Sequence, residues 1–308
     1  MSTARSRHSP ARGRLPVLAL SAVGVLVLGA CAAGPGSSLD GAVPASGTAP
    51  AAPAATSTAD GTVATTKLPV YWVGRVAGEE RLFREFRDAS EAAAAVDPIA
   101  AAAALMTAAS PEDPDYRTLW SPVDRVGAST SPEGTITVDL PSEAFRPGLD
   151  EREARLALQQ LAHTVTAAAG TAGLLPEGSE AEVVVLVDGR PDEEVFGSVR
   201  LDAPLRPDEG VEAPIWLDEP RQDARSEGSL TVSGRALDGV RGGRWTVAAP
   251  DGERVSSGAA AVVPRSDGTT GFRAELELEP GDYVVTVVGR DAEGGTVRDD
   301  KDVEVLPG

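Results

Sequence analysis

Reactive side chains are scarce in this 308-residue chain: two histidines, His8 and His163, one cysteine, Cys31, and two lysines, Lys67 and Lys301. His163 has no His, Cys or carboxylate four residues on, so it reads as a structural helix residue rather than a metal ligand or a base. A Ser-His-Asp hydrolase would need a G-x-S-x-G elbow to expose its serine, and none is present. Neither lysine follows a glycine, so there is no P-loop, and no G-x-G-x-x-G turn occurs. Carboxylates are abundant, and two of them facing one bond could supply an acid and a base. Glu193-Glu194 and Asp299-Asp300 are nevertheless expected on solvated surface. The acidic turns Asp188–Glu194 and Asp299–Asp302 lack the D-x-[DN]-x-[DN]-G spacing of a calcium loop. No catalytic set, metal site or cofactor is therefore expected. Trp72 and Trp245 alternate with apolar neighbours and read as core. Trp120, in a loop, and Trp216, near a junction, are the candidate contact residues.

The remaining reactive group is the thiol of Cys31. Arg5, Arg7, Arg12 and Arg14 precede an uncharged stretch from Leu15 to Ala30, the basic and apolar parts of a secretory signal. Its strongly apolar part, Val17–Leu28, has 12 residues, against about 20 for a membrane-spanning helix. A stray thiol after an ordinary signal would be reactive and awkward in a secreted protein. Leu28-Gly29-Ala30-Cys31 resembles the lipobox of bacterial lipoproteins. The resemblance implies a diacylglycerol on the Cys31 sulfur and cleavage just before it, with acylation of the new N-terminus. Acyl chains, at about 0.8 kcal/mol per buried methylene, would then hold the protein on the extracytoplasmic face of the cell membrane.

The chain carries 28 basic and 47 acidic residues, net −19. Loss of the four signal arginines leaves 24 basic residues against 47 acidic, net −23. Such a charge repels nucleic acid and anionic polymers, and no basic stripe opposes it. The rarity of lysine among many arginines reads as genome composition. Residues 32–66 are Ala, Gly, Pro, Ser and Thr with few charges and no aromatics, too polar and small to offset their ordering entropy. They are expected to form a tether, with Cys31 at its head, spanning roughly 30–35 Å end to end. About 240 residues remain, enough for two ordinary domains.

These elements would position any site. In a first domain, 67–205, Leu68–Gly74 and Arg81–Arg87 are predicted strands. Asp97-Pro98 opens a helix that stops before Pro111. Gly134–Leu140 alternates as a half-buried strand. Asp150–Ala169 is a helix with Glu153 completing a capping box, and Ala154, Leu158, Leu161 and Val165 forming its apolar stripe. Glu182–Val187 is nearly all apolar and is predicted as a central strand, with Val195–Leu201 closing the domain. In a second domain, 211–308, short strands and Gly/Pro turns argue a β-sandwich. Its strands are placed at Ile215–Leu217, Leu230–Val232, Trp245–Ala248, Ala274–Leu278, Tyr283–Val288 and Lys301–Leu306, with Tyr283 at a sandwich corner.

Val70-Tyr71-Trp72-Val73 is similar to the opening strand of the GerMN domain, named for a spore-germination protein. Gly134–Phe145 (GTITVDLPSEAF) resembles its G-x-(apolar)-x-V-D-L-S-x-x-F stretch. Gln160–Val165 resembles its second helix, and Val183–Gly189 its last core strand. Ser110-Pro111 stands where the family often has Gly-Pro, and the loop Glu112–Val126 departs from its pattern. Ile215, Pro220, Leu230–Gly234, Gly271-Phe272 and Val303–Val305 resemble the immunoglobulin-like Gmad2 domain that often follows GerMN. The resemblance implies an α+β chain: a small two-helix α/β module, akin to ring-building modules of envelope assemblies, then an immunoglobulin-like β-sandwich. No catalytic residue is carried over with it. The expected function is a non-catalytic binding or scaffold lipoprotein of the bacterial envelope, whose partner is an envelope protein or wall component. The alternatives are an accessory regulator of a membrane sensor kinase and a carboxylate-based wall hydrolase.

Overall fold

The computed structural model describes residues 65–145, 148–176, 180–237, 239–260, 263–264 and 270–308. His8, the signal segment, Leu28, Gly29, Ala30, Cys31 and nearly all of the tether lie outside the described residues. Two residues assigned to the tether, Thr65 and Thr66, begin the first strand. The described part is mostly β, with sixteen strands and three α-helices.

Strands β1 (Thr65–Val76) and β2 (Glu79–Ser90) form one long hairpin. Ala77 and Gly78 turn it at φ 50° and 89°, the left-handed pair that matches strand twist in a two-residue turn. Ser90 caps a short helix α1 (Glu91–Val96), and Asp97 caps α2 (Pro98–Ala108) by accepting from the N–H groups of Ile99 and Ala100. Sequence periodicity is blind to the single turn and a half of α1. Next come β3 (Gly127–Thr130), β4 (Thr135–Leu140), helix α3 (Glu151–Thr171) and β5 (Glu182–Val187). The Asp150/Glu153 capping box is formed, and Ala154, Leu158, Leu161 and Val165 are all buried.

Helix α3 crosses from β4 to β5, which pair in parallel. The sheet order is β3-β4-β5, so β5 is an outer strand rather than the expected central one. Its apolar run hides a period of two: Val183, Val185 and Val187 are buried while the residues between are half-buried. Its far side carries only isolated bridges among the described residues: Leu205 exchanges two hydrogen bonds of 2.8 Å with Val183, and Arg190 exchanges two with Val187. The expected closing strand Val195–Leu201 is instead a tight two-strand pair, β6 (Glu194–Val195) and β7 (Val199–Arg200). The free edge of β1 is closed by side chains of α3. Gln160 donates to the Tyr71 carbonyl at 2.8 Å, and Tyr71 N–H donates to Thr164 at 3.1 Å. Buried backbone groups need such partners, which explains two polar residues on the inner face of α3.

The second half has β8 (Ile215–Glu219), β9 (Ala224–Glu227), β10 (Ser229–Ala236), β11 (Arg241–Ala248), β12 (Arg254–Ala259), β13 (Val263–Pro264), β14 (Thr270–Glu277), β15 (Gly281–Arg290) and β16 (Thr296–Leu306). One sheet runs β13-β14-β10-β8 and the other β12-β11-β15-β16-β9, and their inward residues belong to one core, the arrangement of a β-sandwich. Tyr283 donates its hydroxyl to the Glu279 carbonyl at 2.8 Å, so the expected corner is formed. The described residues, from 65 onward, lie in a single compact unit. Its main apolar cluster is continuous from Val70 in β1 to Val305 in β16, and the connector between β7 and β8, residues 201–214, joins it by an Ala213 N–H bond to the Leu82 carbonyl.

Candidate functional site

The seam between the two halves gathers most of the buried charge. Arg84 of β2 grips both oxygens of Asp218 of β8 through Nε and Nη2, at 2.8–3.2 Å, and both side chains are largely buried. Burial alone would lower the Arg84 pKa; the Asp218 charge and hydrogen bonds reverse this and hold the guanidinium protonated more firmly than usual. Arg221 bonds Glu112 and also Asp88 of β2, the latter at 3.1 Å. Hydrogen bonding to Glu112 is the main cause that raises Arg221. His163 of α3 places Nδ1 3.0 Å from Glu212 and Nε2 3.1 Å from the Asp208 carbonyl, pinning the connector to the helix. Its carboxylate partner comes from the connector rather than from its own helix.

At the centre of the seam lies a four-residue cluster. Lys301 Nζ is 2.5 Å from Asp113 Oδ2, 2.9 Å from Tyr116 Oη and 3.0 Å from Asp299 Oδ1. Tyr116 donates to Asp299 Oδ1 at 2.7 Å, and Leu217 N–H donates to Asp299 Oδ2 at 2.8 Å. Burial pushes the Asp299 carboxyl up, against the pull of Lys301. Burial pulls Lys301 down, but Asp299 and Asp113 more than restore it and leave it raised. Tyr116 is raised well above the ordinary phenol, first by burial and then by the two aspartates. Glu85 accepts the N–H groups of Glu112 and Asp113 at 3.0 and 2.8 Å, so β2 holds the loop that presents Asp113.

Several expectations change here. Asp299 is 5% exposed, not solvated surface, while its neighbour Asp300 is partly exposed. Lys301, read as an accident of composition, is 3% exposed and bonded on three sides. The signal was present: Val297, Asp299, Lys301, Val303 and Val305 recur every second residue and all face inward from β16. Starting that strand at Lys301 hid the alternation. Asp113 and Tyr116 fall in the loop where the family pattern fails, so nothing local announced them.

Neither candidate tryptophan is a contact residue. Trp120 is fully buried, its Nε1 donating to the Ala157 carbonyl at 3.1 Å, with Phe145 and Phe196 rings 5.2 and 5.3 Å away. Trp216 is also fully buried, bonded to Asp218 and flanked by Arg84 and Arg235. A loop position and a junction position suggested exposure, but the junction is itself core. Trp72 and Trp245 are buried as expected. Among the described residues no group of three or more His, Cys, Asp or Glu is placed to hold a metal ion. No described helix is long and apolar enough to cross a membrane.

A groove of about 770 Å³ runs beside α3, between its first turns, the start of β2 and the connector. Leu156, Leu158, Leu205 and Val211 line its floor, and Arg81, Arg152, Arg155 and Arg200 stand among its walls with four acids.

Comparison with known proteins bears on the first half. Residues 69–193 match the Germane family, described as sporulation and spore germination. The match falls inside the stretch whose motifs resemble GerMN. No curated protein matches the chain. Tandem GerMN domains of the sporulation protein GerM from Bacillus subtilis are similar at 19% identity and TM-score 0.36, over 51% of this chain and 51% of that one. The chain thus spans about half the length of that structure. CopC from Methylosinus trichosporium OB3b is similar at 21% identity and TM-score 0.25, over 30% of this chain and 94% of that one. Fibronectin(III)-like modules of CbhA from Clostridium thermocellum give 16% identity and TM-score 0.23, over 30% and 98%.

Proposed function

We propose that this protein is a lipid-anchored, non-catalytic binding body of the bacterial envelope, in which a GerMN-type module and an immunoglobulin-like sandwich act as one rigid piece. The observation that carries the reading is the seam. Arg84–Asp218, Arg221–Glu112 and Lys301–Asp113 each join one half to the other. Charged pairs taken out of water tolerate little relative motion, because any slip leaves a charge buried without its partner. Such a body suits holding a partner at a fixed place better than closing around a substrate. The tether and the Cys31 thioether would hold it outside the cytosol, within reach of membrane and wall. The groove along α3, where four arginines and four acids stand around an apolar floor, is its proposed contact face, for an envelope partner that presents both charges around an apolar centre.

Two measurements test this. Cys31→Ser should move the protein from the membrane fraction to the soluble fraction, and continued membrane retention would remove the anchor from the reading. A photo-crosslinking residue at Arg152 or Arg200 should capture an envelope protein in intact cells, while the same residue at exposed Val255 should not. Equal capture at all three positions would remove the groove.

A further inference from the structure

We propose that Lys301 and Asp113 condense to a side-chain amide, a covalent link between the first module's loop and the last strand of the second, with Asp299 as the proton carrier. The chain has a single cysteine, so no disulfide can form within it, and the proposed link would be its internal cross-link.

The geometry supplies each part the reaction needs. The amine nitrogen lies 2.5 Å from one oxygen of the Asp113 carboxyl. The other oxygen, Oδ1, accepts the Asp115 N–H at 2.8 Å, a donor placed to hold negative charge on the oxygen that stays. Asp299 Oδ1 is 3.0 Å from the same nitrogen, within reach of its protons. Asp299 is itself fixed by Leu217 N–H and Tyr116 Oη. Glu85 fixes the backbone of Asp113, so the carboxyl is held against the amine from both sides. Lys301, Asp113, Asp299 and Tyr116 are all buried, which removes the water that would otherwise favour hydrolysis and stabilise the ions.

The steps balance without a co-reactant. The resting pair is ammonium and carboxylate. A proton passes from Nζ to Asp113 Oδ2 along their 2.5 Å contact, giving a neutral amine and a neutral acid. The nitrogen lone pair attacks Cγ, a C–N bond forms, and the carbonyl electrons move onto Oδ1 beside the Asp115 N–H. Asp299 takes a second proton from nitrogen and gives it to the Oδ2 hydroxyl. That group leaves as water, the C=O bond reforms at Oδ1, and Asp299 is regenerated. The net change is one amide formed and one water released.

Tryptic digestion and mass spectrometry of the purified full chain decide it. The expected result is no cleavage after Lys301 and a branched peptide joining the Asp113 and Lys301 segments, lighter than the two together by one water. Asp113→Ala and Lys301→Met should lack it. Asp299→Asn keeps the side chain's shape, and near-ultraviolet circular dichroism would report that it is folded. Its branched peptide should form about 100-fold more slowly or worse, as for loss of a proton carrier. Wild-type protein that is cut after Lys301 and yields both linear peptides in full after long incubation overturns the link. An Asp299→Asn variant that cross-links at the wild-type rate overturns the role of Asp299.

Discussion

Asp218→Ala tests whether the two halves stand or fall together. The substitution leaves the Arg84 guanidinium buried with no carboxylate, and takes a partner from the Trp216 Nε1. Breaking a buried pair from one side costs about 3–5 kcal/mol, most of it the penalty of the stranded charge. In a body of this size each kcal/mol moves the midpoint by about 2–4 °C, so a fall of roughly 6–20 °C is expected. Urea unfolding followed by tryptophan fluorescence would read both halves, because Trp72 and Trp120 report the first and Trp216 and Trp245 the second. One shared transition, shifted as a whole, is expected of a continuous core. Arg84→Met combined with Asp218→Leu should regain most of the loss, since apolar residues can replace a buried pair at little net cost. The recovery stops short by about 1–3 kcal/mol, the cost of an unbonded indole N–H. A loss under about 1 kcal/mol for Asp218→Ala, the worth of a surface pair, would refute the buried seam. Two separate transitions in the wild-type protein would refute the single body.

Alkali should unfold the protein through the same region. The phenols of Tyr71, pushed up to about 12 by burial, and of Tyr116, raised well above the ordinary phenol first by burial, favour the protonated folded state. Their contribution is complete below the unfolded values near pH 10 and is lost as pH rises through the folded ones, so stability should fall from about pH 10 upward. Denaturant midpoints at stepped pH check this, and a flat profile to pH 12 would count against it. Trp120→Ala should cost about 3–5 kcal/mol as a core deletion, measured by thermal melting, and should leave partner capture at the groove unchanged in whatever fraction stays folded. Gly234→Ala sets a Cβ 2.0 Å from the Trp216 carbonyl oxygen and 2.6 Å from Phe272, so overpacking of about 3 kcal/mol is expected in the same assay.

Local structure was legible wherever one face of an element meets core. Asp150 and Glu153 bracket α3, Asp97-Pro98 starts α2, and the alternation of Gly134–Leu140 gives β4, because capping and periodicity are short-range physics. Tyr283 at its corner was legible for the same reason. What could not be read was long-range. The purpose of Gln160 and Thr164 depends on β1, some ninety residues earlier. The meaning of Lys301 depends on Asp113, 188 residues away. Trp120 and Trp216 were misplaced because exposure was inferred from loop and junction positions, whereas the loop packs Trp120 against Ala157, Phe145 and Phe196 inside the first half and the junction packs Trp216 at the seam. Charge was misread in the same way. Asp299 looks like surface until Tyr116 and Asp113 are brought across the seam to it and to Lys301.

Those charges bring little net stability, because desolvation cancels most of what each pair returns. Their use must lie elsewhere, and geometry suggests orientation. An apolar seam would let one half slide over the other with small loss. At this seam a shift of a few ångströms strands Arg84, Asp218, Asp113 and Lys301 at once, each at a cost of several kcal/mol. The Arg84→Met, Asp218→Leu pair should therefore keep the fold yet loosen the register between the halves. Spin labels at exposed Arg155 on α3 and Val255 on β12 would show it as a broader distance distribution by pulsed electron resonance. An equally narrow distribution would mean that shape alone sets the orientation. If the Lys301–Asp113 amide forms, it ties residues 188 apart and removes chain entropy from the unfolded state worth about 5 kcal/mol. Adding Lys301→Met should then broaden the distribution further, because the link and the ion pair constrain the same displacement.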